Sequence, residues 1–126
     1  MYRIINSKIW EDDWFFDLSA EQKLLFMYLV TSQHTDQLGI FKANIKYISI
    51  ETGLKVKDIN SLLRSLYPKV IYIPELKLIF IKNFLRYQNA GGKFEKLIYG
   101  KFLELDDRIK AILIRECAYL KSIIEK

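Results

Sequence analysis

The chain has 126 residues, of which 51% are hydrophobic and 14% aromatic, and its formal net charge is +5. These values predict one folded domain over residues 1–126 and argue against intrinsic disorder. One cysteine excludes an internal disulfide, and one cysteine with one histidine speaks against a zinc site, so we expect no metal and no cofactor.

No apolar run has the length of a membrane span, and the first residues lack the pattern of a signal peptide. We therefore expect a cytoplasmic protein of bacterial or phage type. The positive charge is concentrated in the middle of the chain, because residues 55–103 hold 10 Lys/Arg and only 3 Asp/Glu. A polyanion would meet such a segment as a patch, although lysine-rich surfaces unrelated to binding are the competing explanation.

Residues 3–16 are rich in aromatic and acidic side chains, and we expect them to pack on the core or on a partner subunit. Ser19 and Gln22 form a capping-box pattern that predicts the start of a helix. Residues 24–30 are apolar almost all round that helix, which predicts a central, buried element. His34 follows in a polar stretch, where we expect an exposed loop.

A helix pair with a tight glycine turn is predicted over residues 45–66. Asn44 is suited to cap the first helix, over residues 45–52, and Gly53 to end it. The second helix, over residues 56–66, begins almost at once, and this arrangement is typical of a helix-turn-helix. Its apolar residues Val56, Ile59, Leu62, Leu63 and Leu66 are spaced to face a core, whereas Lys55, Lys57, Asn60, Ser61 and Arg64 point mostly outward.

Two β-rich runs, residues 70–73 and 78–81, follow this second helix with four residues between them, which predicts a hairpin. A short strand is also expected at residues 39–41. The order helix, strand, helix, helix, strand, strand predicts a mainly α protein with a small β-hairpin, a winged helix-turn-helix with its core at about residues 18–88.

The C-terminal part is expected to add a helical extension at about residues 93–125, after a loop at residues 89–92. We predict helices over about residues 93–102 and 106–125. The apolar stripe of the second one could serve dimerisation, docking of another protein, or packing within its own domain. This stripe consists of Ile109, Ile112, Leu113, Leu120, Ile123 and Ile124.

The outward residues of the second helix and the cations near the hairpin are the candidate DNA-binding residues. Asn60 and Arg64 lie one turn apart and could contact base edges, since an amide suits adenine and a guanidinium suits guanine. Phosphate contacts could come from the remaining candidates, although solvated positions that bind nothing are the alternative. These remaining candidates are Lys55, Lys57 and Ser61, together with Lys69, Lys77 and Lys82 in or near the hairpin.

The sequence contains no pattern that predicts catalysis, and we expect no catalytic residues. The pairs Asp12 with Asp13 and Asp106 with Asp107 could hold a metal ion. Adjacent acids at the start of a helix, however, more often cap it and favour its dipole, so we expect that role instead.

Several short segments over residues 3–90 follow a pattern known from one group of proteins. They are Arg3, Ile9 and Trp10, Leu18 and Ser19, residues 24–26, Gly39, Gly53 and Leu54, and residues 79–88. Together they resemble the N-terminal domain of phage replisome organisers, a group similar to the DnaD-like primosomal initiators of low-GC Gram-positive bacteria. The resemblance implies a winged helix that binds DNA at a replication origin and helps to recruit helicase-loading proteins. The short hairpin turn with Glu75 departs from the longer, basic wing that would suit phosphate contact.

The leading hypothesis is a non-enzymatic, double-stranded-DNA-binding initiator of phage or prophage replication. A homodimer or higher oligomer could form, but the sequence leaves the oligomeric state open. A transcription regulator on the same scaffold is the nearest alternative. A protein–protein oligomerisation scaffold of a primosome is a third hypothesis, which the aromatic N-terminal residues and the apolar C-terminal helix favour. No membrane partner is expected.

Overall fold

The structure, a computed structural model, describes residues 2–88 and 92–125, and it is mainly helical with a small three-stranded antiparallel sheet. Residues 89–91, in the predicted loop, lie outside the described residues. The elements in chain order are a 3-10 turn at Ser7–Glu11, α1 (Asp13–Phe16), α2 (Ala20–Thr31), β1 (Ile40–Lys42), α3 (Ile45–Thr52), α4 (Val56–Ser65), β2 (Val70–Ile73), a 3-10 turn at Pro74–Leu76, β3 (Leu78–Ile81), α5 (Phe84–Gln88), α6 (Gly92–Leu103), α7 (Asp107–Glu116) and α8 (Ala118–Ile124).

The local signals for α2, α3 and α4 are confirmed. The Ser19 hydroxyl accepts from the Gln22 backbone N–H, and Gln22 Oε1 accepts from the Ser19 N–H at 2.8 Å, which completes the capping box. Asn44 Oδ1 caps α3, and Gly53 ends it with a φ of 80°. Since only glycine adopts that backbone conformation without steric cost, the tight turn into α4 follows from the sequence.

The sheet has the strand order β1-β3-β2, and both pairings are antiparallel. Side chains alternate between the two faces of a strand, yet all four residues of the central strand β3 are buried. Both faces of the sheet are therefore covered. This explains why the strands are continuously apolar and do not alternate between apolar and polar residues.

One face of the sheet packs on α2, α3 and α4, and we call this the first core. The opposite face is covered by the C-terminal helices and by α5, and we call this the second core. The first core includes Leu25, Leu29, Phe41, Ile48, Ile59, Leu63, Val70, Ile79 and Ile81. The second core includes Ile40, Ile71, Leu78, Phe80, Leu85, Ile98, Phe102, Leu113, Cys117 and Leu120.

The prediction of one helix over residues 106–125 is wrong, because Cys117 interrupts it and two helices, α7 and α8, form instead. This residue has extended backbone (φ −123°), and its sulfur accepts a hydrogen bond from the Leu120 N–H as the N-cap of α8. The change of direction lets α8 contact α5 and α6. The apolar stripe considered for docking is thereby used within the chain, with Leu113, Leu120 and Ile123 buried.

The N-terminal residues pack on the core only in part. Phe15 is fully buried, whereas Trp10 and Phe16 are 60% and 67% exposed. The Arg3 guanidinium donates to the backbone carbonyls of Ser32 and Thr35 and lies over the Phe84 ring, with 5.0 Å from Cζ to the ring centroid.

Helix α2 is less buried than its composition predicts. Only Leu25 and Leu29 are fully buried, and Leu24 is 45% exposed.

Among the helices of the described residues, none combines the length and the apolar character that crossing a membrane requires.

Candidate nucleic-acid interface

Helix α4 is anchored on one side and open to solvent on the other. Ile59 and Leu63 are fully buried in the first core and fix the orientation of the helix. On the opposite face, Lys57, Asn60, Ser61 and Arg64 are all exposed, at the three- and four-residue spacing of one helix face. Lys55 is also exposed, at the N-cap position. We call these five residues the α4 surface.

Val56 departs from the predicted apolar stripe. It was expected to face the core, but as the first residue of α4 it is 52% exposed. The buried face of α4 is therefore shorter than the apolar stripe in the sequence. It begins at Ile59 and does not include Val56. At the N-terminal end of α4, Lys55, Val56 and Lys57 are exposed.

Tyr72 of β2 joins two residues of the α4 surface. Its hydroxyl donates to Asn60 Oδ1 at 3.1 Å, and its ring centroid lies 5.8 Å from the Cζ atom of Arg64. The ring itself packs against the first core. Sequence reasoning missed Tyr72, because only the tertiary placement of β2 beside α4 brings it to this surface.

The turn of the β2–β3 hairpin brings further cations to the same side as the N-terminus of α3. Lys77 is exposed, and its backbone carbonyl accepts from the Ala43 N–H at 2.7 Å. Lys42 pairs with Leu78 in the sheet and is exposed, as is Lys46 in the first turn of α3. Lys42 and Lys46 were missed as candidates. Antiparallel pairing of the short strand β1 with β3 is the signal that could have placed Lys42 next to Lys77.

Lys69 and Lys82 are at the other end of the hairpin, where the Lys82 N–H donates to the Lys69 carbonyl at 3.0 Å. Strands of four residues put them about 13 Å from the turn. Both are half-buried, and Lys69 lines a cavity of about 230 Å³ under the N-terminal residues. The structure therefore separates these two predicted residues from Lys77. Lys69 lies next to the C-terminal end of α4, where its N–H donates to the Leu66 carbonyl at 3.0 Å.

The position of Lys82 is visible in its effect on Cys117 of the second core. Burial raises the pKa of the Cys117 thiol. The backbone N–H groups of Leu120 and Tyr119 oppose this shift, and the Lys82 ammonium adds a smaller effect in the same direction. Lys82 is therefore close enough to the second core to act on Cys117.

The positive middle segment is divided between two parts of the fold. Lys93, Lys96 and Lys101 belong to α6, which packs in the second core on the face of the sheet opposite α4. The exposed cations on α4, at the hairpin turn and around the start of α3 are Lys42, Lys46, Lys55, Lys57, Arg64 and Lys77. The acids in these segments are Asp58 and Glu75, and Asp36 lines a pocket together with Lys42. These residues together carry more positive than negative charge, but the positive charge comes only partly from the segment that the sequence singled out.

The acidic pairs act as helix caps. The Asp12 carboxylate accepts from the Phe15 N–H at 3.0 Å, and the Asp106 carboxylate accepts from the Arg108 N–H at 2.7 Å. This backbone hydrogen bond and the Arg108 guanidinium lower the pKa of Asp106. The capping role that we expected for these acids is thus observed.

Comparison of the chain with known protein families, with curated proteins and with solved structures finds no match. The interpretation of the α4 surface consequently depends on its geometry and chemistry. The α4 surface presents the Asn60 amide, the Ser61 hydroxyl and the cations of Lys55, Lys57 and Arg64 to solvent. The β2–β3 hairpin lies beside this helix.

Proposed function

We propose that the chain is a winged-helix module that binds double-stranded DNA and has no enzymatic activity. In this proposal α3 and α4 form the helix-turn-helix, and the β2–β3 hairpin is the wing. The order α2, β1, α3, α4, β2, β3 and the strand order β1-β3-β2 support the assignment.

The exposure of the polar face of α4 is the observation that carries the proposal. The major groove of B-DNA, about 12 Å wide, admits an α-helix whose side chains reach base edges. Asn60 and Arg64 project from that face, while Ile59 and Leu63 hold the helix rigidly from behind. A rigid helix with outward hydrogen-bonding groups fits this task better than a mobile loop would.

The surrounding lysines support binding of the phosphate backbone. Lys57 on α4 and Lys77 at the hairpin turn flank the groove-facing side chains, and both are exposed. Lys42 and Lys46 extend the cationic surface from the hairpin turn to the N-terminus of α3. Contacts of this kind fix the position of a protein on DNA and make its affinity depend on salt.

We assign the module to replication initiation of the phage replisome organiser type because of the resemblance in residues 3–90. Arg3 and Phe84, which belong to the resembling segments, contact each other in the fold. Helicase-loading proteins and further copies of the chain are partners that this role implies. The apolar C-terminal stripe gives less support to a scaffold function than its sequence did, since Leu113 and Leu120 lie in the second core and Ile123 is also buried.

The proposal is tested by fluorescence polarisation with a labelled duplex and with one of its single strands, each at two salt concentrations. We expect the duplex to bind more tightly, and its affinity to fall with salt by a log–log slope of about −0.9 for each phosphate contacted. Sedimentation with and without DNA separates binding from self-association. A stable oligomer that ignores duplex DNA would contradict the proposal.

A further inference from the structure

A partly open cavity of about 230 Å³ lies between the N-terminal residues, α2 and the end of β3. Its walls are mainly apolar, with buried side chains from Phe15, Ile81 and Phe84 and half-buried ones from Met27 and Val30. An apolar cavity of about 150 Å³ in another protein stays dry and binds benzene, so this larger one has room for an apolar body of roughly nine heavy atoms.

The N-terminal residues form one wall of the cavity, to which Ile4, Ile5 and Ile9 contribute. This wall is attached to the rest of the domain by polar contacts. The Gln88 amide is hydrogen-bonded to the Ile4 backbone, and the Arg3 guanidinium donates to backbone carbonyls of the segment that follows α2. These hydrogen bonds hold the wall in place although side chains do not fill the space beneath it.

Two lysines line the same cavity, and their charges are not neutralised within the fold. Lys69 is half-buried and Lys8 is exposed. Among residues 2–88 and 92–125, neither ammonium group forms an ion pair. An unpaired cation beside an apolar cavity favours a ligand that combines an anionic group with an apolar body.

One acid, Asp12, also lines the cavity. Its carboxylate already accepts from the Phe15 N–H at 3.0 Å, as the N-cap of α1. Two lysines and this acid leave a balance of one positive charge at the cavity. That balance matches a carboxylate, which carries a single negative charge at neutral pH, better than a phosphate monoester, which carries nearly two.

We propose that the cavity is a binding site for a small, free monocarboxylate with an apolar body, such as a medium-chain fatty acid. The apolar body lies against Phe26, Met27 and Phe84, and the carboxylate lies beside Lys69. This gives Lys69 a role different from the phosphate contact that the sequence predicts. The site is separate from the α4 surface, so the inference does not depend on the binding of duplex DNA.

The test is calorimetric titration of the full chain with octanoate and with 3-phenylpropanoate, which have an aliphatic and an aromatic body. Octylammonium has the aliphatic body with the opposite charge and is the control ligand. We expect at least one carboxylate to bind with a Kd of about 1 mM or lower, and octylammonium to bind at least roughly fivefold more weakly. The bound carboxylate should also slow hydrogen exchange in residues 4–9 more than in α6, because these residues form the wall.

Three variants locate the bound ligand. Lys69→Met removes the ammonium group but keeps a long side chain, and it should weaken carboxylate binding roughly fivefold or more. Lys82→Met is the matched control, since Lys82 is also half-buried at this end of the hairpin but does not line the cavity, and it should bind as the wild type does. Met27→Trp should fill the cavity and abolish binding. Circular dichroism and thermal unfolding verify that each variant is folded.

The site would be overturned if neither carboxylate bound at about 10 mM, or if octylammonium bound equally well. Unchanged carboxylate affinity in folded Met27→Trp would place the ligand elsewhere, and an equal loss in Lys69→Met and Lys82→Met would contradict the role of Lys69. All these outcomes leave the proposed function intact. Failure of the chain to bind duplex DNA would in turn leave the carboxylate site standing.

Discussion

Gln88 holds the backbone of Ile4 through both atoms of its side-chain amide. The Ile4 N–H donates to Gln88 Oε1 at 2.9 Å, and Gln88 Nε2 donates to the Ile4 carbonyl at 2.6 Å. This pair of hydrogen bonds joins residues 84 positions apart. It fixes the N-terminal residues over the cavity next to α2 and α5, a cavity that both Ile4 and Gln88 line.

Gln88→Ala should therefore release the N-terminal residues. We expect a loss of about 1–2 kcal/mol in the free energy of unfolding, since two hydrogen bonds at the protein surface are removed. Hydrogen exchange of residues 4–16 should accelerate more than exchange in the sheet. Gln33→Ala, at an exposed position, is the control and should leave both measurements unchanged. Equal exchange in the two variants would refute the role of Gln88.

Leu120→Ala should show that the C-terminal helices belong to the core. Leu120 is fully buried in the second core, so truncation should cost roughly 2–5 kcal/mol in denaturant unfolding. Leu103→Ala, at a site that is 52% exposed, should cost about 0.5 kcal/mol or less. If Leu120→Ala changed the oligomeric state and left the stability unaffected, the stripe would be an interface between chains.

Tyr28 should lose its phenolic proton at a higher pH than an ordinary tyrosine does. Burial, followed by the hydrogen bond from its hydroxyl to Glu51 Oε1, raises the pKa of Tyr28 from 10.0 to about 12. The unfolded chain loses this proton first, so the contribution to stability is complete below pH 10 and is lost as the pH rises toward 12.

An ultraviolet titration of the phenolates checks this prediction. The titration should contain a phase close to pH 12 that comes from Tyr28. Glu51→Gln should lower the pKa of Tyr28 because it removes the negative charge, although the effect of burial remains. A late phase that is identical in Glu51→Gln would mean that another tyrosine is responsible.

The parts of the fold that the sequence predicted depend on signals between residues close in the chain. The capping box at Ser19, the cap at Asn44 and the left-handed turn at Gly53 each act within a few residues, so they could be read without tertiary information. The hairpin was predicted for the same reason, since two β-rich runs are separated by a short turn with proline.

The parts that could not be predicted depend on contacts between distant residues. The end of α7 at Cys117 could not be predicted, because no proline or glycine lies there. The packing of α8 on the second core stabilises this interruption between the two helices. Lys69 and Lys82 are close in sequence to the hairpin turn, but they lie at the opposite end of strands β2 and β3. Tyr72 reaches Asn60 only because β2 lies beside α4.

Lys57→Ala should change how the affinity for duplex DNA depends on salt. If Lys57 contacts one phosphate, the slope of log K against log salt should become shallower by about 1, with little change in base preference. Lys96→Ala removes the same charge from α6, away from α4, and should leave the slope unchanged. Equal slopes for Lys57→Ala and the wild type would exclude this phosphate contact.

The most direct test of the proposed interface is the affinity of Arg64→Ala for the duplex that the wild type binds most tightly. We expect a loss of about 1–3 kcal/mol, because a guanidinium contact to a base edge is removed, while Lys96→Ala binds as the wild type does. Unchanged affinity in Arg64→Ala, or an equal loss in Lys96→Ala, would contradict the assignment of α4 as the DNA-binding helix.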